Sequence, residues 1–281
     1  MQLCTGHEGS SMSRITGCFD TLKASGRKAL IPYLTAGDPD KGTTLALMHA
    51  LVANGADIIE LGFPFTDPTS DGPVIQRAVE RALAHNTSLK DVLGIVKQFR
   101  ETNTETPVVL MGYLNPVQCM GYQVFCDGAV DAGVDGVLIV DMPPEESHDL
   151  KVILDETVLD SIFLVAPTTS DERAREICTQ SSGYVYYVSL KGVTGAGNLD
   201  IDSVKQNLAR VRANTDLPVG VGFGIKDAKS ARLIAEIADA VVVGSALINR
   251  IEELESGKQY SQEALQSHIG LIREMRDAMD A

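Results

Sequence analysis

The chain has 281 residues, 44% of them hydrophobic and 22% charged, which is enough to bury a sizeable core as one large α/β domain or two small ones. Its formal charge of −14 argues against general binding to nucleic acid or anionic membranes, and no apolar run approaches the ~20 residues of a membrane span. Any anionic ligand must therefore be held by local dipoles against an unfavourable overall field.

Met1 to Met12 shows no basic region followed by an apolar core. No secretory signal is expected, and residues 1–12 read as a poorly ordered extension in which Met12 could be an alternative start. Ser13 to Ala24 reads as a short leading helix stopped by Ser25-Gly26. Ala29 to Thr35 is strand-like, and Ala36-Gly37-Asp38-Pro39 turns into a helix from Asp40 to Ala53. Asn54-Gly55 stops that helix, since glycine tolerates the left-handed geometry of a helix end.

The second strand, beginning at Asp57-Ile58-Ile59, carries Glu60 near its carboxyl end. A buried parallel strand tolerates charge only for a reason. A proline- and glycine-rich loop with Asp67 and Asp71 follows, and a helical pattern starts at Pro73. Further strands are expected at Val108–Met111, Gly136–Val140, Ile162–Ala166, Tyr184–Ser189, Val219–Gly222 and Ala240–Val243, each followed by a helical segment. The gap between the second and third strands is longer and has room for an extra helix at Ser88–Arg100.

Eight strand–helix units with mostly apolar strands predict a single-domain α/β fold over 13–281, a (β/α)8 barrel with the leading helix and the extra helix added. A doubly wound open sheet is the rival that periodicity leaves open. In a barrel, side chains alternate between the interior and the helix layer. If Glu60 points inward, so do Ile58 and Gly62, while Asp57, Ile59 and Leu61 face the helices. The same alternation groups Tyr184, Tyr186 and Val188.

Barrel active sites lie at the carboxyl ends of the strands, where Glu60, Asp71 and Tyr186 would meet. Glu60 reads either as a catalytic acid–base group or as a carboxylate paired at a strand end. Asp71, in Asp-Gly-Pro before a helix, reads on its own first as a cap or turn residue, and Asp67 as loop geometry. Glycine clusters follow the sixth strand (Gly192, Gly195, Gly197), the seventh (Gly222, Gly224) and the eighth (Gly244, then Ser245). Each alone makes a turn. Together they offer backbone N–H groups and helix dipoles to a phosphate.

Other chemistries find little support. His49, His85, His148 and His268 fall in helical segments without metal-ligand spacing, and His7 is in the tail, so no metal is expected. Lys191 could form a Schiff base, but its glycine-rich loop does not promise the burial that lowers a lysine pKa. The five cysteines (Cys4, Cys18, Cys119, Cys126, Cys178) are odd in number and form no CxxC pair. Free thiols in a reducing cytoplasm are expected.

These residues also carry a resemblance. Glu60-Leu61-Gly62-Phe63-Pro64-Phe65-Thr66-Asp67-Pro68, Asp71-Gly72-Pro73-Val74-Ile75-Gln76, Leu34-Thr35-Ala36-Gly37-Asp38-Pro39, Gly192-Val193-Thr194-Gly195, Gly222-Phe223-Gly224-Ile225 and Gly244-Ser245-Ala246 occur in the order and spacing of one family. From Leu30 to nearly its end the chain resembles the α subunit of tryptophan synthase. The resemblance implies a lyase that cleaves indole-3-glycerol phosphate into indole and glyceraldehyde 3-phosphate, in tryptophan biosynthesis. It implies Glu60 as the acid–base group, Asp71 as the indole-binding carboxylate and Tyr186 lining the same site. Phosphate would be held at Gly195, Gly224, Gly244 and Ser245, and the indole by Tyr33, Ile75, Met111 and Phe223.

It also implies a β-subunit partner that carries pyridoxal phosphate, in an α2β2 heterotetramer, with no cofactor on this chain. Leu190 stands where many members have a basic or small polar residue, which leaves closure of the sixth-strand loop open. Another phosphate-sugar barrel enzyme (an isomerase or epimerase) and a non-catalytic paralogue are the alternative readings.

Overall fold

Alternation along the strands sorts the side chains into two apolar layers, and the sheet that carries them closes on itself. The computed structural model describes residues 13–189, 201–222 and 224–281. Its strands are β1 (Ala29–Thr35), β2 (Ile59–Gly62), β3 (Val108–Gly112), β4 (Gly136–Ile139), β5 in two pieces (Asp160–Ser161 and Leu164–Val165), β6 (Val185–Val188), β7 (Val219–Gly222) and β8 (Ala240–Val243). All pairings are parallel, and β8 returns to pair with β1. This is a curled sheet of the (β/α)8 type.

The fifth strand differs from expectation. Its first piece pairs with β4 and its second with β6. The backbone bonds Ile162 N–H to Val137 O (3.0 Å) and Tyr186 N–H to Phe163 O (3.1 Å) carry the ladder across the break. The strand hands over from one neighbour to the other within a few residues, so an apolar run over 162–166 located only half of it.

Inside the barrel lie Ile31, Ile58, Val109, Leu138, Ile162, Tyr184, Tyr186 and Val242. Ile59 and Leu61 join Leu47, Leu51 and the other helix-facing side chains in the outer layer. The expected parity holds on both β2 and β6. Each fully buried aliphatic side chain stabilises such a layer by roughly 1.5–3 kcal/mol. The leading helix Arg14–Ala24 turns Ile15, Phe19 and Leu22 onto the interior cluster and so covers one end of the barrel. Ser13 caps that helix through Thr16 N–H and also donates to Asp160 Oδ2 at 2.7 Å.

Two helices, Pro73–Ala84 and Leu89–Arg100, follow β2. The second is the expected extra one, started by a reciprocal Ser88/Asp91 capping box. The segment after β3 is likewise split, at Gly121, into Leu114–Met120 and Tyr122–Ala132. The C-terminal helix Leu271–Asp280 is tied to the barrel where Arg276, 2% exposed, donates to Asp57 Oδ2 at 2.9 Å. Asp57 also accepts from Leu30 N–H, so the outward-facing aspartate just before β2 is structural.

Candidate active site

β2 delivers Glu60 in register with Tyr33 of β1, with its side chain directed into the barrel. Glu60 is fully buried, and Oε1 accepts a 2.7 Å hydrogen bond from the Tyr184 hydroxyl of the sixth-strand segment. Oε2 has no partner among the described residues. Burial raises the carboxyl from an ordinary 4.5 to about 7, against the downward pull of the Tyr184 bond. Desolvation dominates because one neutral donor cannot replace the water a carboxylate loses.

This has a consequence for stability. The folded carboxyl titrates near 7 and the unfolded one near 4.5, so between those values the folded state holds the extra proton. Stability therefore falls as pH rises from about 4.5 to about 7 and stays lower above that range, by about 3 kcal/mol in full. Glu60→Gln removes the ionisation. Denaturant unfolding should find the variant more stable at pH 8 by about that amount, with the advantage shrinking towards pH 5. An advantage independent of pH would contradict the shift.

Asp71 reaches the site from the loop between β2 and the helix Pro73–Ala84. It is not a cap: the N-cap is Gly72, and no side chain caps that helix. The carboxylate instead accepts from the Tyr113 hydroxyl through Oδ2 at 3.0 Å, while its main-chain oxygen accepts from Gln76. Burial raises its pKa and the Tyr113 bond lowers it in part. Among the described residues Asp67 makes only local contacts, with Thr66 and within its own turn.

Tyr33 and Tyr186 are buried phenols whose ionisation is suppressed first by burial and then by the charges of Glu60 and Asp71. Both depend on glycines of the neighbouring strands. A Cβ at Gly62 would overlap the Tyr33 hydroxyl, and one at Gly222 would overlap that of Tyr186. Gly222 thus makes room for an aromatic side chain, a role different from the turn that its sequence context indicated.

On the far side of the mouth, Gly224 adopts φ +79°, a conformation glycine supports readily. Gly244 is the N-cap of the helix Ser245–Ile251, and a side chain there would meet open space. The amides that open a helix lack an acceptor one turn back and can meet an anion; that of Leu247 is already given to Gly244 O at 2.9 Å, which leaves those before it.

A cleft of about 1380 Å³ at the carboxyl ends of the strands brings these groups together. It is lined by Glu60, Asp71, Tyr186, Tyr33, Ile75, Met111, Gly224, Gly244 and Ser245. Gly195, Phe223, Leu190 and Lys191 lie outside the described residues, as does the extension 1–12. No group of side chains able to hold a metal ion occurs among the described residues. Sequence reasoning missed two side chains at the carboxylates, Tyr184 as the donor to Glu60 and Tyr113 as the donor to Asp71. The parity of the sixth strand was a signal for Tyr184, since it turns that residue inward with Tyr186. For Tyr113 the signal was a polar aromatic directly after a strand end.

A curled parallel sheet with a buried and a half-buried carboxylate and glycine-bearing strand ends around one cleft defines a (β/α)-barrel enzyme equipped for acid–base chemistry. The chain matches the sequence model of the tryptophan synthase alpha chain over residues 19–280. The tryptophan synthase alpha chain of Thioalkalivibrio sulfidiphilus is 61% identical over 269 residues, covering 96% of this chain and 100% of that one. The crystal structure of tryptophan synthase subunit alpha from Legionella pneumophila superposes with a TM-score of 0.88 at 48% identity, covering 96% of this chain and 99% of that one. The tryptophan synthase complex from Pyrococcus furiosus contains a chain that superposes with a TM-score of 0.78 at 39% identity, covering 89% and 98%. The chain belongs to the tryptophan synthase alpha chain family.

Proposed function

We propose that this chain cleaves indole-3-glycerol phosphate to indole and glyceraldehyde 3-phosphate, a carbon–carbon lyase step of tryptophan biosynthesis. The observation that carries the reading is Glu60: a carboxyl near neutrality, with one oxygen unpartnered, in the cleft that also holds Asp71.

The chemistry is a retro-aldol cleavage whose difficulty is the leaving group. An indole carbanion at C3 is too unstable to expel, so C3 is protonated first. Glu60, protonated at the start, donates that proton from Oε2. The positive charge that develops on the ring nitrogen is met by Asp71 as a carboxylate. Glu60, now ionised, takes the proton from the hydroxyl on the carbon attached to the ring. The carbon–carbon bond then breaks, the aldehyde forms, and the bonding electrons restore neutral indole. Glu60 ends protonated as it began.

Tyr186 and Tyr33 line the ring pocket with Ile75 and Met111. Backbone N–H groups at Gly224, Gly244 and Ser245 hold the phosphate, which keeps the cleavable bond aligned against the two carboxylates. Phe223 and Gly195 complete the two subsites in this reading.

Gly244 allows a selective test of the phosphate subsite. Its missing side chain faces open space, so Gly244→Leu should leave the barrel intact and obstruct the ligand. Steady-state kinetics should show KM raised by about tenfold or more with a smaller change in kcat. An unchanged KM would place the phosphate elsewhere.

The partner in this reading is a β subunit that carries pyridoxal phosphate and takes up the released indole, in an α2β2 assembly. Membership of the family supports a partner of that kind. In this reading the compartment is the cytoplasm, where the free thiols expected from the sequence would stay reduced. The deciding experiment is an indole-release assay on indole-3-glycerol phosphate, with and without a β subunit. Absence of indole under both conditions would overturn the reading.

A further inference from the structure

Tyr113 stands directly after β3, 4% exposed, and joins three parts of the loop that carries Asp71. Its ring packs against Phe65 at a centroid distance of 5.6 Å with the planes tilted by 35°. Its hydroxyl accepts from Ser70 N–H at 3.0 Å and donates to Asp71 Oδ2 at 3.0 Å. One phenol thus uses both its donor and an acceptor lone pair on adjacent residues. Among the described residues, the hydrogen bonds that leave segment 64–72 run only to Tyr113 and to Gln76 of the following helix.

We infer that Tyr113 is a positioning residue for cleavage: its hydroxyl pins Oδ2 of Asp71, which leaves Oδ1 as the oxygen presented to the N–H of the substrate ring. The inference rests on the reading of Asp71 given above. Two physical effects follow from the same bond. A carboxylate anchored through one oxygen loses the freedom to turn away, so less orientation remains to be supplied when substrate binds. A donor on the ionised form also favours ionisation, which opposes the upward push of burial on this carboxyl. The ring contact with Phe65 and the Ser70 bond hold the loop itself, so the hydroxyl and the ring contribute separately.

The cleft that Asp71 faces is lined by the phenols of Tyr33 on β1 and Tyr186 on β6 and the carboxyl of Glu60 on β2, and further out by the charged side chains of Asp141, Arg173, Lys226, Asp227 and Lys229. The charge of Asp71 raises the pKa of Tyr33, Tyr186 and Tyr113 alike. All three phenols stay neutral through the assay range. Glu60, raised to about 7, acts on the alkaline limb, where its required proton is lost.

Tyr113→Phe keeps the ring and removes the hydroxyl. In the full chain, kcat for indole release should fall by roughly 10–100-fold, the size of one charge-assisted hydrogen bond, with KM changed less than about twofold. The acid limb of the pH–rate profile should move to higher pH, because Asp71 loses the donor that favours its ionised form. Combined with Asp71→Asn, the substitution should add little further loss. A carbon-13 titration of the Asp71 carboxyl, which needs no turnover, should show its pKa rising in Tyr113→Phe.

An unmoved Asp71 titration, or losses that simply add with Asp71→Asn, would overturn the positioning role. If wild-type protein released no indole while the titration moved as expected, the contact between Tyr113 and Asp71 would stand and the proposed reaction would fail.

Discussion

Glu60→Gln is expected to lower kcat for indole release by about 10²–10⁴-fold while a phosphate-bearing ligand still binds. Glutamine keeps the size of the side chain and can still accept from the Tyr184 hydroxyl, so packing inside the barrel should change little. What is lost is the proton that Oε2 must give to the ring and later recover. No other carboxyl lines the cleft at that point of β2, and the neighbouring phenols have pKa values raised by burial, which makes them poor proton donors near neutrality. The same variant should be the more stable protein above pH 7. A gain in stability together with a loss of rate marks a charge kept for function against its solvation cost. Turnover near that of the wild type would remove Glu60 from the mechanism.

Asp71→Asn is expected to lower kcat by about 10²–10³-fold, the scale of losing one electrostatic partner of a developing charge. Asparagine is nearly the same shape, and its amide oxygen can still accept from Tyr113, so the loop after β2 should stay in place. The amide carries no charge to set against the cation that forms on the ring nitrogen. The acid limb of the pH–rate profile should disappear as well, since that limb reports protonation of Asp71. Thermal unfolding distinguishes this from a structural effect, because loss of a cap would lower the melting temperature and loss of a charge contact to substrate would not. A rate within about threefold of wild type would leave the ring cation without its partner in this scheme.

The two carboxylates and the residues around them were not equally legible in the sequence. Glu60 and Asp71 sit within one short stretch, where a charge in an apolar run and a Pro/Gly-rich loop mark a strand end. Their donors are remote: Tyr184 lies 124 residues from Glu60, and Tyr113 lies 42 residues from Asp71. Only closure of the sheet brings β6 across from β2. Gly62 and Gly222 show the same limit. Gly62 reads only as an inward strand position and Gly222 as a turn residue, yet each is small because a tyrosine of the adjacent strand needs the space. The two-piece β5 escaped for a related reason, since a hand-over between ladders leaves no mark in apolar periodicity.

By itself the sequence determined the succession of strands and helices, the face of β2 and β6 that turns inward, the glycine-bearing strand ends and the family. These follow from backbone periodicity, turn chemistry and residues in register, all of which act over short spans of chain. The tertiary structure alone decided which oxygen of Glu60 is left unpartnered, that its carboxyl titrates near 7, and that Asp71 is held by Tyr113 instead of capping a helix. Desolvation and hydrogen-bond partners belong to the neighbours that the closed barrel assembles, and no local pattern specifies them.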